Sequence, residues 1–155
     1  MPAFHSRDLR NGRYSQEGHY YLLTAVTLQR RPVFSDFTAA RICINSFRLQ
    51  DEEGAVRSLA FVVMPDHFHW LVELLESDLA AVMRAVKGQS ARLINASVGT
   101  SGTLWQRGYH DRGLRQDQDL VAAARYLVAN PLRAALVENL WLYPHWDAVW
   151  VEGKE

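Results

Sequence analysis

Two apolar runs joined by only two residues constrain this chain most. Val56 to Met64 is almost wholly apolar from Leu59 onward, and His67 to Leu74 (HFHWLVEL) follows directly after Pro65-Asp66. So short a link leaves no room for a crossover, so the runs must pair as an antiparallel hairpin. A strand apolar on both faces is buried on both, which makes Val56–Met64 a central strand, while the histidine pair is expected near the sheet edge. Side chains alternate faces along a strand. His67 and His69 therefore share one face, about 7 Å apart along the strand, and Phe68 and Trp70 share the other. The histidines stand at a strand start, where a ligand can approach. Two solvent-facing strand histidines are the plainer alternative.

The flanking segments extend this frame. His19 to Gln29 (HYYLLTAVTLQ) is rich in β-branched and aromatic residues and reads as a first strand, ended by Arg30-Arg31-Pro32. Ser35 or Asp36 caps a helix to about Leu49, with Phe37, Ala40, Ile44 and Phe47 at helical spacing. Asp51 to Gly54 reads as a turn. Ser77 or Asp78 caps a second helix to about Asn95, where Gly88 costs about 1 kcal/mol against alanine and invites a break. Residues 96–103 (ASVGTSGT) read as a loop, and a fourth strand lies within Leu104–Arg115. A third helix begins at Gln116 or Asp117 and runs to Asn130, stopped by Pro131. A short helix, Leu132 to Val137, follows. Trp141, Trp146 and Trp150 pack the tail back on the domain.

The order β-α-β-β-α-β plus a helix predicts an α+β ferredoxin-like sandwich, an antiparallel sheet with helices on one face. The extra helix is left to lie across the sheet or on the histidine side. The 155 residues make one domain, with 1–18 as an irregular basic arm and 138–155 as a packed tail.

Charge narrows the function classes. The net charge is zero, yet its distribution is uneven. Residues 1–50 hold seven arginines against three acids, and residues 81–135 hold eight basic residues against three acids. Of the 17 basic residues 15 are arginine, which grips phosphate in a bidentate fork. Arg7, Arg10 and Arg13 in the arm, with Arg84, Lys87, Arg107, Arg112 and Arg125, are the candidates for nucleic-acid contact. Plain solvated surface charge explains the same composition. The N-terminal residues lack the apolar core of a signal peptide, and no uncharged apolar run nears a membrane span of about 18 residues. The lone cysteine, Cys43, excludes an intrachain disulfide and reads as a small buried hydrophobe. A cytoplasmic protein is expected.

The segment Ala124 to Pro131 adds chemistry to the histidines. Tyr126 and Asn130 are four apart and share a helix face. Two neutral imidazoles and an amide oxygen can hold one divalent cation with open positions. Mg²⁺ prefers oxygen ligands, and the imidazoles make Mn²⁺ suitable too. A nearby tyrosine hydroxyl can attack phosphorus, and arginines can hold the phosphate. An ordinary boundary tyrosine and a helix-end asparagine remain the alternatives for these two residues.

At these residues the chain resembles the HUH single-tyrosine transposases, and within them the REP-associated branch. The blocks that carry the resemblance are FVVMPDHFHWLVEL (61–74), LWQRGYHDRGLR (104–115) and ARYLVANPLRAALV (124–137), in the family's order. The first strand and YPHW (143–146) are similar too, so that most of 18–147 is covered. The resemblance implies metal-dependent nicking and rejoining of single-stranded DNA beside hairpins, through a 5′-phosphotyrosine. His67 and His69 match the metal-binding pair and Tyr126 matches the nucleophile. Asn130 falls where some members of the wider family place a glutamine that completes the metal site. Where many relatives read Tyr-His-Asp-His, this chain has Tyr109-His110-Asp111-Arg112. Tyr109 is the alternative nucleophile. Histidine-triad nucleotide hydrolases, with three alternating histidines, are opposed by Leu71. A hairpin-binding protein without catalysis is the alternative function. The family implies a monomer or a homodimer.

Overall fold

The computed structural model describes residues 19–115 and 117–149. Arg7, Arg10, Arg13, Gln116 and Trp150 lie outside the described residues. Five strands form one sheet in the order β4-β1-β3-β2-β5. They are β1 (Tyr20–Val26), β2 (Val56–Met64), β3 (His67–Leu74), β4 (His110–Leu114) and β5 (Trp146–Ala148). All pairings are antiparallel. The central hairpin has the expected bounds on both sides. The helices are α1 (Phe37–Glu52), α2 (Leu79–Val98), α3 (Asp117–Val128) and the single turn α4 (Asn130–Arg133). None is long and apolar enough to cross a membrane.

The strand alternation builds two cores. Tyr21, Leu23 and Ala25 of β1 and Phe68, Trp70 and Val72 of β3 bury one sheet face under α1 and α2. Phe47 of α1 stacks on Trp70 at 4.5 Å, and the Trp70 indole donates to Ser58 Oγ at 2.9 Å. The second core is smaller. Ala60, Val62 and Met64 of β2 and Leu71 of β3 meet Leu120, Ala123, Ala124 and Leu127 of α3. That core lies on the histidine face, so the third helix takes the histidine side and the sheet is covered on both faces.

The element ends correct several expectations. Of the two residues expected for each cap, Asp36 and Asp78 cap α1 and α2, each accepting from the backbone N–H three residues on. The helix α1 continues through Asp51 and Glu52, and Gly54 at φ 81° makes the turn. The helix α2 runs through Gly88 without a break, and on to Val98, because Gly99 at φ 75° forms its left-handed cap. Pro131 does not merely stop α3. It sits in the first turn of α4, where its missing N–H costs nothing. The helix expected at Leu132–Val137 therefore starts two residues earlier and ends at Arg133. The tail adds an unexpected edge strand, β5, on β2. Trp146 packs on the second core while Trp141 stays exposed. Tyr143 anchors the tail by donating to the Val63 carbonyl at 2.6 Å.

Candidate active site

His67 and His69 emerge on the histidine face just after the hairpin turn, their rings 5.0 Å apart and nearly perpendicular. Each is fixed through Nδ1. His69 Nδ1 is 2.7 Å from Thr24 Oγ1, because register places Thr24 of β1 directly opposite His69. His67 Nδ1 is 2.7 Å from Asp66 Oδ1 in the turn. Arg30 donates to the other Asp66 oxygen at 2.9 Å. Arg30 does this from a left-handed backbone conformation, φ 51°, which costs an ordinary residue about 1 kcal/mol or more. Arginine, carboxylate and imidazole thus form a chain that orients His67. This outer support matters because a ligating imidazole needs its second nitrogen held.

Burial keeps His69 ready to donate electrons. Burial, then the charges of His67 and Arg133, lowers His69 from the usual range to about 4. Burial pushes the Asp66 carboxyl upward, but the His67 hydrogen bond and Arg30 outweigh it and the net shift is down. His69 is therefore neutral, and Asp66 charged, at neutral pH. No hydrogen bond occupies Nε2 of either histidine among the described residues.

Across the sheet, β4 continues the same face. His110 lies opposite Thr24, and Arg112 opposite Leu22. Between β4 and α3 runs an open groove of about 510 Å³, lined by Arg112, Arg115, Asp119, Ala123 and Tyr126 among others. Tyr126 is 63% exposed there, and its ring carries the Arg133 guanidinium at 3.6 Å from the ring centre. Arg107 lines a second recess with Thr24 and His110. Asn130 is half-buried at the start of α4, which packs on β2, next to the histidine strand. Arg125 is exposed on α3.

Other candidate residues are placed elsewhere. Arg84 is exposed on α2, whose core lies on the opposite sheet face. Lys87 is spent on structure, since its ammonium donates to the carbonyls of Gln106 and Gly108 and pins that loop. Tyr109 packs against the first core and its hydroxyl is buried. Trp105 is buried between Phe34 and Phe68 and donates to Ser90, as core packing requires. Cys43 is fully buried, which pushes its thiol up and keeps it inert. Reading by sequence missed Thr24, Asp66, Arg30 and Arg133. Of these only Asp66, adjacent to His67, carried a local signal.

Comparison with known proteins fits this arrangement. Residues 15–129 match the family described as Transposase IS200 like. The chain belongs to that family. The matched span includes both histidines and Tyr126, and ends one residue before Asn130. A Haemophilus influenzae protein named for the REP-associated tyrosine transposases is 23% identical over 147 residues, covering 85% of this chain and 80% of the relative. Among solved structures, a REP-associated tyrosine transposase bound to a REP hairpin superposes with a TM-score of 0.72 at 20% identity. It covers 86% of this chain and 79% of that one. A transposase-like protein of Deinococcus radiodurans superposes at 0.54 with 23% identity, over 77% of this chain and 95% of its own. This IS200-like family member thus shares the REP-associated fold, a five-stranded antiparallel sheet with helices on both faces.

Proposed function

We infer that this family member nicks and rejoins single-stranded DNA beside a hairpin, through a 5′-phosphotyrosine on Tyr126. One observation carries the reading: α3, which bears Tyr126, docks on the same sheet face as His67 and His69, through Leu120, Ala123, Ala124 and Leu127. Tyr109 lacks that placement, with its hydroxyl buried toward the other core. The hairpin as partner is supported by the REP hairpin held in the similar structure.

The donor set fits a divalent cation such as Mg²⁺ or Mn²⁺. Both Nδ1 atoms are tied down and both Nε2 atoms are open. No group of three or more His, Cys, Asp or Glu gathers among the described residues. Asn130 on α4, which packs on β2 beside the histidine strand, is the candidate for a third protein ligand. Such a cation, when bound, supplies positive charge to a phosphate oxygen and leaves positions open for it. The protein's own groups do the rest. Thr24 and Asp66 hold the imidazoles in place. The groove beside β4 admits an extended strand, and Arg112 and Arg115 at its wall meet the phosphates. Tyr126 Oη attacks phosphorus from the groove, the P–O3′ bond breaks, and the 3′-hydroxyl leaves. Reversal of that step rejoins the strand without an external energy source. The packing of α3 on its own sheet supports a unit in which the tyrosine serves its own histidines and which acts as a monomer.

Incubation with Mg²⁺ or Mn²⁺ and a labelled hairpin with single-stranded flanks tests this. The expected product is a protein–DNA adduct through the 5′-phosphate, lost in Tyr126→Phe and kept in Tyr109→Phe. His67→Ala loses metal-dependent cleavage but keeps hairpin affinity. An adduct in Tyr126→Phe that disappears in Tyr109→Phe would overturn the nucleophile. No adduct from the wild-type protein on any hairpin, with tight binding intact, would favour binding without catalysis.

A further inference from the structure

The Arg133 side chain has no role in the scheme above, yet it stacks on Tyr126. It is on α4, one turn beyond α3, and its guanidinium covers the Tyr126 ring at 3.6 Å. Among the described residues no carboxylate pairs with it. It also bears electrostatically on His69. A guanidinium stacked on the tyrosine of the helix that packs on the histidine face, with no carboxylate to satisfy it, is an open seat for an anion. Cation–π stacking on Tyr126 uses the guanidinium face, whereas the N–H donors radiate from its edge and stay free for oxygen.

We propose that Arg133 is the phosphate clamp of this site: its N–H groups hold a non-bridging oxygen of the phosphodiester that Tyr126 attacks. This rests on the nicking reading, and adds a group that touches the reacting phosphate. In the step itself the Tyr126 Oη–P bond forms and the P–O3′ bond breaks. The phenol proton is released and the departing 3′-oxygen takes up a proton, with no oxidation or reduction. The transferred phosphoryl group stays anionic throughout, so a fixed cation beside it serves the attack and the covalent intermediate alike. Stacking keeps Arg133 registered on the ring, so clamp and nucleophile move together. A flexible lysine, a point charge without the planar fork, would hold the ring less well.

Arg133 is exposed, so its replacement spares the core. Two measurements test the clamp, after thermal melts establish that Arg133→Gln and Arg133→Lys fold. The first is binding of the hairpin substrate by Tyr126→Phe protein, with and without Arg133→Gln, across a salt series. The double variant is expected to bind more weakly, with its salt slope smaller by about 0.7, one single-strand phosphate contact. The second is the rate of adduct formation with Tyr126 intact. Arg133→Gln is expected to slow it about 100-fold, the size seen when one donor to a developing charge is removed, and Arg133→Lys to restore part of that loss. An unchanged salt slope, or an adduct rate in Arg133→Gln equal to wild type, overturns the clamp. A wild-type protein that forms no adduct overturns the nicking reading separately. The salt slope then still decides whether Arg133 holds a phosphate.

Discussion

Acid is expected to weaken this fold through His69 before it protonates most carboxylates. The imidazole is half-buried against Thr24, and desolvation, then the charges of His67 and Arg133, lower it to about 4. An unfolded chain offers an ordinary histidine near 6.5. The native state therefore binds fewer protons than the unfolded state between those values, and stability falls as pH drops through that window. Above about pH 7 the effect vanishes, because both states are neutral. At pH 5 linkage gives a loss of about 2 kcal/mol, and below pH 4 it levels off near 3 kcal/mol.

Comparing wild type with His69→Gln isolates this share, because glutamine can still bond Thr24 but cannot titrate. Urea unfolding of both proteins at pH 7.5 and pH 5.0, with chelator present so that no metal favours the neutral ring, gives the difference of differences. The wild type is expected to lose about 2 kcal/mol more than the variant between the two pH values. Contributions from Asp66 and from His145, which burial and then Arg41 also lower, are common to both proteins and cancel. Parallel loss in the two proteins would refute the reasoning, and would mean that the ring gains solvent or a partner when protonated.

Two further outcomes follow from the site's supports. Asp66→Asn removes the charged acceptor from His67 Nδ1 and the partner of Arg30, so Mn²⁺ affinity measured by calorimetry is expected to fall about 10–100-fold while the fold persists. Leu127→Ala hollows the contact between α3 and the sheet, so chemical denaturation is expected to show a loss of about 2–5 kcal/mol, with adduct yield falling even at temperatures where the protein is folded.

How far the chain can be read depends on whether a feature is local. The hairpin was legible to the residue, because Pro65-Asp66 interrupts two strongly apolar runs and nothing competes with pairing. The α+β sandwich followed from it. Element ends that depend on backbone conformation were less legible. Residues 96–98 read as loop from their small side chains, yet they continue α2 until Gly99 supplies the left-handed cap. Pro131 read as a stop, though its ring suits the first turn of a new helix just as well. The edge strand β5 is three residues long and has no periodicity to detect. At the candidate site, the shared face of the histidines was readable because strand alternation is a local rule. Thr24 is 45 residues from His69 and joins it only through strand register. Arg133 could not be placed either, since its contact with Tyr126 depends on how α4 turns after Ala129.

The two faces of the sheet divide labour in a way that explains one departure from the family pattern. Stability is concentrated under α1 and α2, where Trp70, Phe68 and Phe47 are fully buried. On the histidine face α3 packs on β2 and β3, and an open groove runs between α3 and β4. Arg112 stands on that face, opposite Leu22, at the position where the resemblance in sequence leads one to expect a histidine. A histidine in this exposed position would be charged only on the acid side of neutrality. Arginine is charged at every physiological pH and offers a planar fork for a phosphate. The exchange therefore preserves a donor at the groove wall while removing its pH dependence.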